Sequence, residues 1–128
     1  MPRPVHFEIP AEDAARAVKF FKDVFDWKFQ EWGQQGYHLA STGEGAGIDG
    51  AVMQRMDPKQ PVINSIEVDS VERYVEKIVA NGGTIAVPKT PVGDMGFIAY
   101  FKDTEGNLHG LWERREGAGA ESRVVDPL

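Results

Sequence analysis

Apolar residues along this chain switch between a period of two and a helical period, and the order of the switches occurs twice. Val5, Phe7 and Ile9 alternate with His6 and Glu8, which predicts a strand with two different faces. Pro10 is expected to end it. From about Asp13 to Phe25 the spacing becomes helical. Ala14, Ala17, Val18, Phe21 and Phe25 recur on one face and predict a helix with an apolar stripe, Phe20 being assigned to the core with them. Glu12 and Asp13 stand at its start, where the helix dipole favours acidic groups. Strands are expected at about 27–32, 37–41 and 48–54. Gly33 and Gly36 bracket the first turn, and TGEGAG fills the second.

The same order then returns. Val62 to Val68 predicts a strand. Asp69, with Glu72 three residues on, has the spacing of a capping box. Val71, Tyr74, Val75, Ile78 and Val79 predict the buried stripe of a second helix, which Asn81-Gly82-Gly83 should stop. Strands follow at about 84–87, 97–102 and 108–113. A repeat of roughly fifty to sixty residues is too long for most solenoid units and too short for two independent domains, so both copies are expected to share one sheet around a cleft. The organisation is one domain, with module one at about 4–56, a linker at 57–61, module two at about 62–114 and a small, polar tail at 115–128. The tail is expected to be mobile or to dock on a partner subunit.

Composition narrows the function classes. A net charge of −6 opposes a nucleic-acid partner, which needs clustered Lys and Arg. No apolar run reaches the length of a membrane span, and the opening MPRPVHFEIP has no signal-like apolar core. The absence of cysteine excludes disulfides and thiol chemistry and fits a cytoplasmic protein.

The stretch HFEIPAEDAARAVKFFKDVFDW resembles the opening of the vicinal oxygen chelate superfamily, which includes glyoxalase I, extradiol dioxygenases and bleomycin-resistance proteins. EVDSVERYVEKIVANGGTIAVPKTPVGDMG resembles its second-module helix and glycine-rich exit. FKDTEGNLHGLWE resembles its closing strand pair. The likeness covers about Pro4 to Arg114. It implies an α+β fold of two βαβββ modules forming an incompletely closed barrel around a cleft. It also implies a divalent metal held by the first and last strands of each module. Carried onto this chain, the four ligand positions are His6, Gly50, Ile63 (Val62 or Asn64 if the register slips) and Gly110. Of these, His6 alone is a good donor. A site for zinc, nickel, manganese or iron usually needs at least three protein ligands. No cofactor is therefore expected, and a divalent metal at His6 would need partners from outside the family set.

His6 and Glu8 share a strand face and form the best chemical pair, as a general base with its orienting partner or as polar ligand contacts. Gly50 and Gly110 remove bulk where ligating side chains would stand, which either widens the cleft or lets strands pack closely. Trp112, on the face of Gly110, offers a flat apolar wall with one donor. Tyr100 and Asn64 complete the candidate ligand contacts. His109 should point the opposite way. TGEGAG precedes a strand and not a helix, so it is read as a hairpin loop and not a phosphate cradle. GDMG (93–96) is expected at the cleft rim.

Three functions compete at this point. The first is a metal-independent protein that binds a small organic molecule in the cleft. The second is a lyase, isomerase or dioxygenase acting through His6 and Glu8 or a metal at His6. The third is a non-catalytic dimeric module. A homodimer is expected because open half-barrels have edges to protect.

Overall fold

The computed structural model describes residues 2–33 and 36–115. Their elements are β1 (Arg3–Ala11), α1 (Ala14–Phe25), β2 (Lys28–Glu31), β3 (Tyr37–Ser41), β4 (Asp49–Gln54), β5 (Ile63–Glu67), α2 (Val71–Ala80), β6 (Thr84–Val92), β7 (Gly96–Lys102) and β8 (Leu108–Arg114). The strands form a single mixed sheet in the order β2-β3-β4-β1-β5-β8-β7-β6. It does not close into a barrel. Each half is one βαβββ module, as the repeat implied. Antiparallel pairing of β1 with β5 joins the halves, while the first and last strands within each module run parallel.

Residues in register share a sheet face, so the pairing assigns every side chain to one of two sides. Phe7 pairs with Asn64, and Ile66 pairs with Leu111. This is the helix side. Under α1, Trp27 stacks on Phe21 at 5.0 Å and lies 5.6 Å from Phe7. Under α2, Val68, Val71, Ala99, Phe101 and Leu111 form a buried cluster. The opposite side carries His6, Glu8, Tyr37, Leu39, Ala51, Ile63, Ser65, Tyr100, Gly110 and Trp112.

The helix starts show the repeat at atomic detail. Asp13 caps α1 by accepting from the Arg16 amide at 3.1 Å, and Ser70 caps α2 by accepting from the Arg73 amide at 3.1 Å. The last strand of each module supplies a second acceptor. Gln54 Oε1 takes the Ala14 amide at 3.3 Å, and Glu113 Oε1 takes the Val71 amide at 2.8 Å. Two of the donors that any helix leaves open at its start are thus filled in the same way twice.

Several expectations change. The second helix is capped by Ser70 and not Asp69, which instead pairs with Arg73 at 2.7 Å. Pro10 does not end β1. The β1–β5 pairing already stops at Glu8, so Pro10, in register with Met53 of β4, forfeits no bond to β5. β6 runs on to Val92 through Pro88 and Pro91, which an edge strand tolerates. Phe20, Phe25 and Val79, placed in the core by their spacing, are exposed. The two helices are amphipathic over a narrower stripe than the count of apolar residues suggested. The expectations for residues 116–128 lie outside the described residues.

Candidate functional site

The centre of the sheet brings His6 and Glu8 of β1 onto the face opposite the helices. Both are almost fully buried, at 5% and 3% exposure. A buried carboxylate is costly unless it is hydrogen-bonded, and Glu8 is bonded on both oxygens. Tyr37 Oη donates to Oε2 at 2.9 Å, and Tyr100 Oη donates to Oε1 at 3.1 Å. Tyr37 comes from β3 of module one and Tyr100 from β7 of module two, so the carboxylate is held from both halves. The Tyr37 hydroxyl also lies 3.5 Å from His6 Nε2. With Tyr37 donating to Glu8, the His6 tautomer that suits this contact carries its proton on Nε2.

Burial sets the protonation of this cluster. It pushes the His6 imidazole down to about 4, against a smaller upward pull from Asp49, its register partner on β4. Burial raises Glu8 above the usual carboxylate range, and the two tyrosine bonds partly oppose this. Tyr100 is raised by burial first and by the Glu8 charge second. His6 is therefore neutral at pH 7. Glu8 is the group whose proton occupancy the surroundings adjust.

The register tests the metal positions. Gln54 and Glu113 are equivalent by their capping role, and counting back along β4 and β8 sets Ala51 against Gly110. In the same way, Ala14 and Val71 set His6 against Ile63. Gly50 is consequently not a cleft position. Its missing side chain would collide with the Phe7 ring on the helix side. The corrected set is His6, Ala51, Ile63 and Gly110, which holds one donor. Among the described residues, no three His, Cys, Asp or Glu side chains group so that they could hold a metal ion. The residues present do not fit the metal that the fold implies.

The remaining candidates fall on both sides of the sheet. Gly110 lies on the cleft face, but it adds no room. A Cβ there would stand 2.5 Å from Ser65 Oγ and 3.3 Å from the Tyr100 ring, so its lack of a side chain serves close packing. Trp112 is on the cleft face at 1% exposure, with its benzo edge against the backbone of Gly96. Asn64 is exposed and on the helix side, in register with Phe7, and it does not join the cluster. His109 points to the helix side as expected. It stacks on Phe101 and lies 2.9 Å from Asp103. Sequence reasoning missed Tyr37 and Ser65. The parity of Tyr37 with Leu39 and of Ser65 with Ile63 was available, but their apposition to β1 depends on register. A pocket of about 110 Å³ is lined by Lys28, Phe29 and Gln30 of β2 and Leu39 and Ser41 of β3.

Residues 3–111 match the model of the Glyoxalase/Bleomycin resistance protein/Dioxygenase superfamily. The chain belongs to this superfamily. It is 31% identical over 115 residues to a glyoxylase-like domain-containing protein of Didymella fabae, a match covering 84% of this chain and 90% of that one. It is 29% identical over 122 residues to a Mycobacterium tuberculosis protein named "Putative glyoxylase CFP32". That match covers 88% of this chain and 46% of the other, so the chain spans about half the length of this relative. Methylmalonyl-CoA epimerase from Mycobacterium tuberculosis superposes with a TM-score of 0.67 at 15% identity, covering 87% of each chain. That likeness is one of fold. This superfamily member has the two-module sheet, with His6 on its first strand beside a carboxylate bound by two tyrosines.

Proposed function

We propose that this superfamily member binds a small, planar organic molecule between its modules without a metal. The observation that carries this reading is the replacement of a four-ligand set by one histidine beside a carboxylate clamped by Tyr37 and Tyr100. The first test is elemental analysis of tag-free protein after incubation with nickel, zinc, manganese or ferrous iron, beside His6→Ala. Sub-stoichiometric metal in both proteins is expected. One metal per chain that disappears in His6→Ala would overturn the reading. A panel of aromatic compounds measured by calorimetry supplies the positive arm, with saturable 1:1 binding expected.

The raised Glu8 carboxyl supports a second reading, in which Glu8 takes a proton from a bound carbon acid and returns it, as an isomerase does. Exchange of that ligand proton with deuterated water should then fall at least about hundredfold in Glu8→Gln. Unchanged exchange removes this reading. We also propose that two copies of the chain pair and cover exposed Phe20 and Val24 on α1. Light scattering should give twice the chain mass, and about half of that for Phe20→Ser/Val24→Ser.

A further inference from the structure

We infer that Ser65 and Trp112 form a donor pair that receives an acceptor oxygen of the cleft ligand, so that the ligand is a planar compound bearing a ketone or carboxylate. This rests on the ligand-binding reading above and names the ligand class. Ser65 Oγ and Trp112 Nε1 are both buried, each residue at 1% exposure, and neither atom has a hydrogen-bond partner among the described residues. A buried donor left unpaired costs about 1–3 kcal/mol, and a fold does not commonly carry two such donors on one sheet face without a use for them. Ser65 is in register with Gly110 and Glu67 with Trp112, so Ser65 and Trp112 hold diagonal positions on adjacent strands of the cleft face.

The surroundings select the chemistry. Ser65 pairs with His6 across β1 and β5, and its hydroxyl lies against Gly110 and near the Tyr100 ring. Tyr100 in turn holds Glu8 at 3.1 Å. An acceptor seated on Ser65 and Trp112 would therefore lie on the Tyr100 side of the Glu8 carboxyl. The indole nitrogen is a donor only, so a ligand presenting another donor there would leave the site unsatisfied. A carbonyl or carboxylate oxygen satisfies it.

The test uses a matched pair, 2-acetylnaphthalene and 2-ethylnaphthalene, which share a shape and differ in the acceptor. In ¹H–¹⁵N spectra the three tryptophans of the chain give three indole signals, and Trp112→Phe identifies one of them. The ketone is expected to move the Trp112 signal downfield and to bind about three- to tenfold more tightly than the hydrocarbon. Ser65→Ala and Trp112→Phe should each shrink that ratio towards one. Ser65→Ala should keep or raise the melting temperature of the free protein, since it deletes an unpaired donor, so a lost preference in this variant cannot be blamed on misfolding. An equal response to both compounds, or an unchanged ratio in Ser65→Ala, overturns the donor pair while leaving cleft binding intact. Absence of saturable binding by either compound overturns both.

Discussion

His6 and Glu8 share a strand face, yet acid acts on them in opposite senses. His6 titrates at about 4 when folded and near 6.5 when unfolded. Between these values the unfolded chain binds more protons, so the His6 contribution is present above pH 6.5 and is lost as pH falls through about 4. The swing is on the order of 3 kcal/mol. Glu8 is raised, so its contribution is present below the unfolded value of 4.5 and is lost as pH rises through the folded value. The two trends oppose each other above pH 4.5. Denaturant melts between pH 4.5 and 6.5 should therefore show a steeper gain of stability with pH in Glu8→Gln than in the parent protein, and a flat or reversed slope in His6→Gln. Parallel slopes in all three would show that burial does not set their protonation. At Gly110 the prediction is steric. Gly110→Ala sets a Cβ at 2.5 Å from Ser65 Oγ and should cost about 1–3 kcal/mol. Adding Ser65→Ala should recover part of that loss, and simple additivity in a double-mutant cycle would count against the contact.

At the scale of elements, the two modules repeat a rule that joins each helix to the strand beside it. Gln54 and Glu113 each cap the first amide of their module's helix. The carboxylate of Glu113 also meets the positive end of the α2 dipole. Glu113→Ala should destabilise the protein by about 1 kcal/mol, and Glu113→Gln should restore most of it by keeping the acceptor. A Glu113→Ala melt that coincides with the parent curve would show that water replaces the cap at no cost. Edge strands follow the same logic of unmet bonds. β6 carries Pro88 and Pro91 on the outer edge of the sheet, where a missing amide hydrogen costs nothing and discourages pairing with another chain.

At the scale of the whole molecule, the modules share one sheet through β1 and β5, and Glu8 binds a tyrosine from each half. Neither half can open without breaking these links. Unfolding should therefore be one cooperative step. A variant that keeps only Trp27, with Trp32→Phe and Trp112→Phe, reports on module one. One that keeps only Trp112, with Trp27→Phe and Trp32→Phe, reports on module two. Fluorescence and circular dichroism should give the same midpoint within each variant. A fluorescence midpoint separated from that of circular dichroism in either variant would show independent modules. Tyr100→Phe removes the cross-module hydrogen bond and Tyr37→Phe the one within module one. Both leave an acceptor of Glu8 unfilled, so each should lower the midpoint.

Local chemistry was enough to read the elements, their order and the repeat, because strand and helix periods differ and because Asn81-Gly82-Gly83 ends α2 where the helical spacing stops. It was also enough to bring His6 and Glu8 together, since residues two apart on a strand share a face. What lay beyond the sequence was anything that depends on two strands meeting. Gly50 was aligned with Gly110 by the similarity of DGAVM and HGLWE, but pairing turns Gly50 to the helices and sets Ala51 in its place, because a one-residue slip exchanges the faces of a strand. Asn64 left the cleft and Ser65 entered it for the same reason. Tyr37 became part of the site only when β3 was laid beside β4 and β4 beside β1. Phe20 and Val79 satisfied a helical period yet remained exposed, since periodicity marks an apolar stripe and only packing decides how much of it is covered.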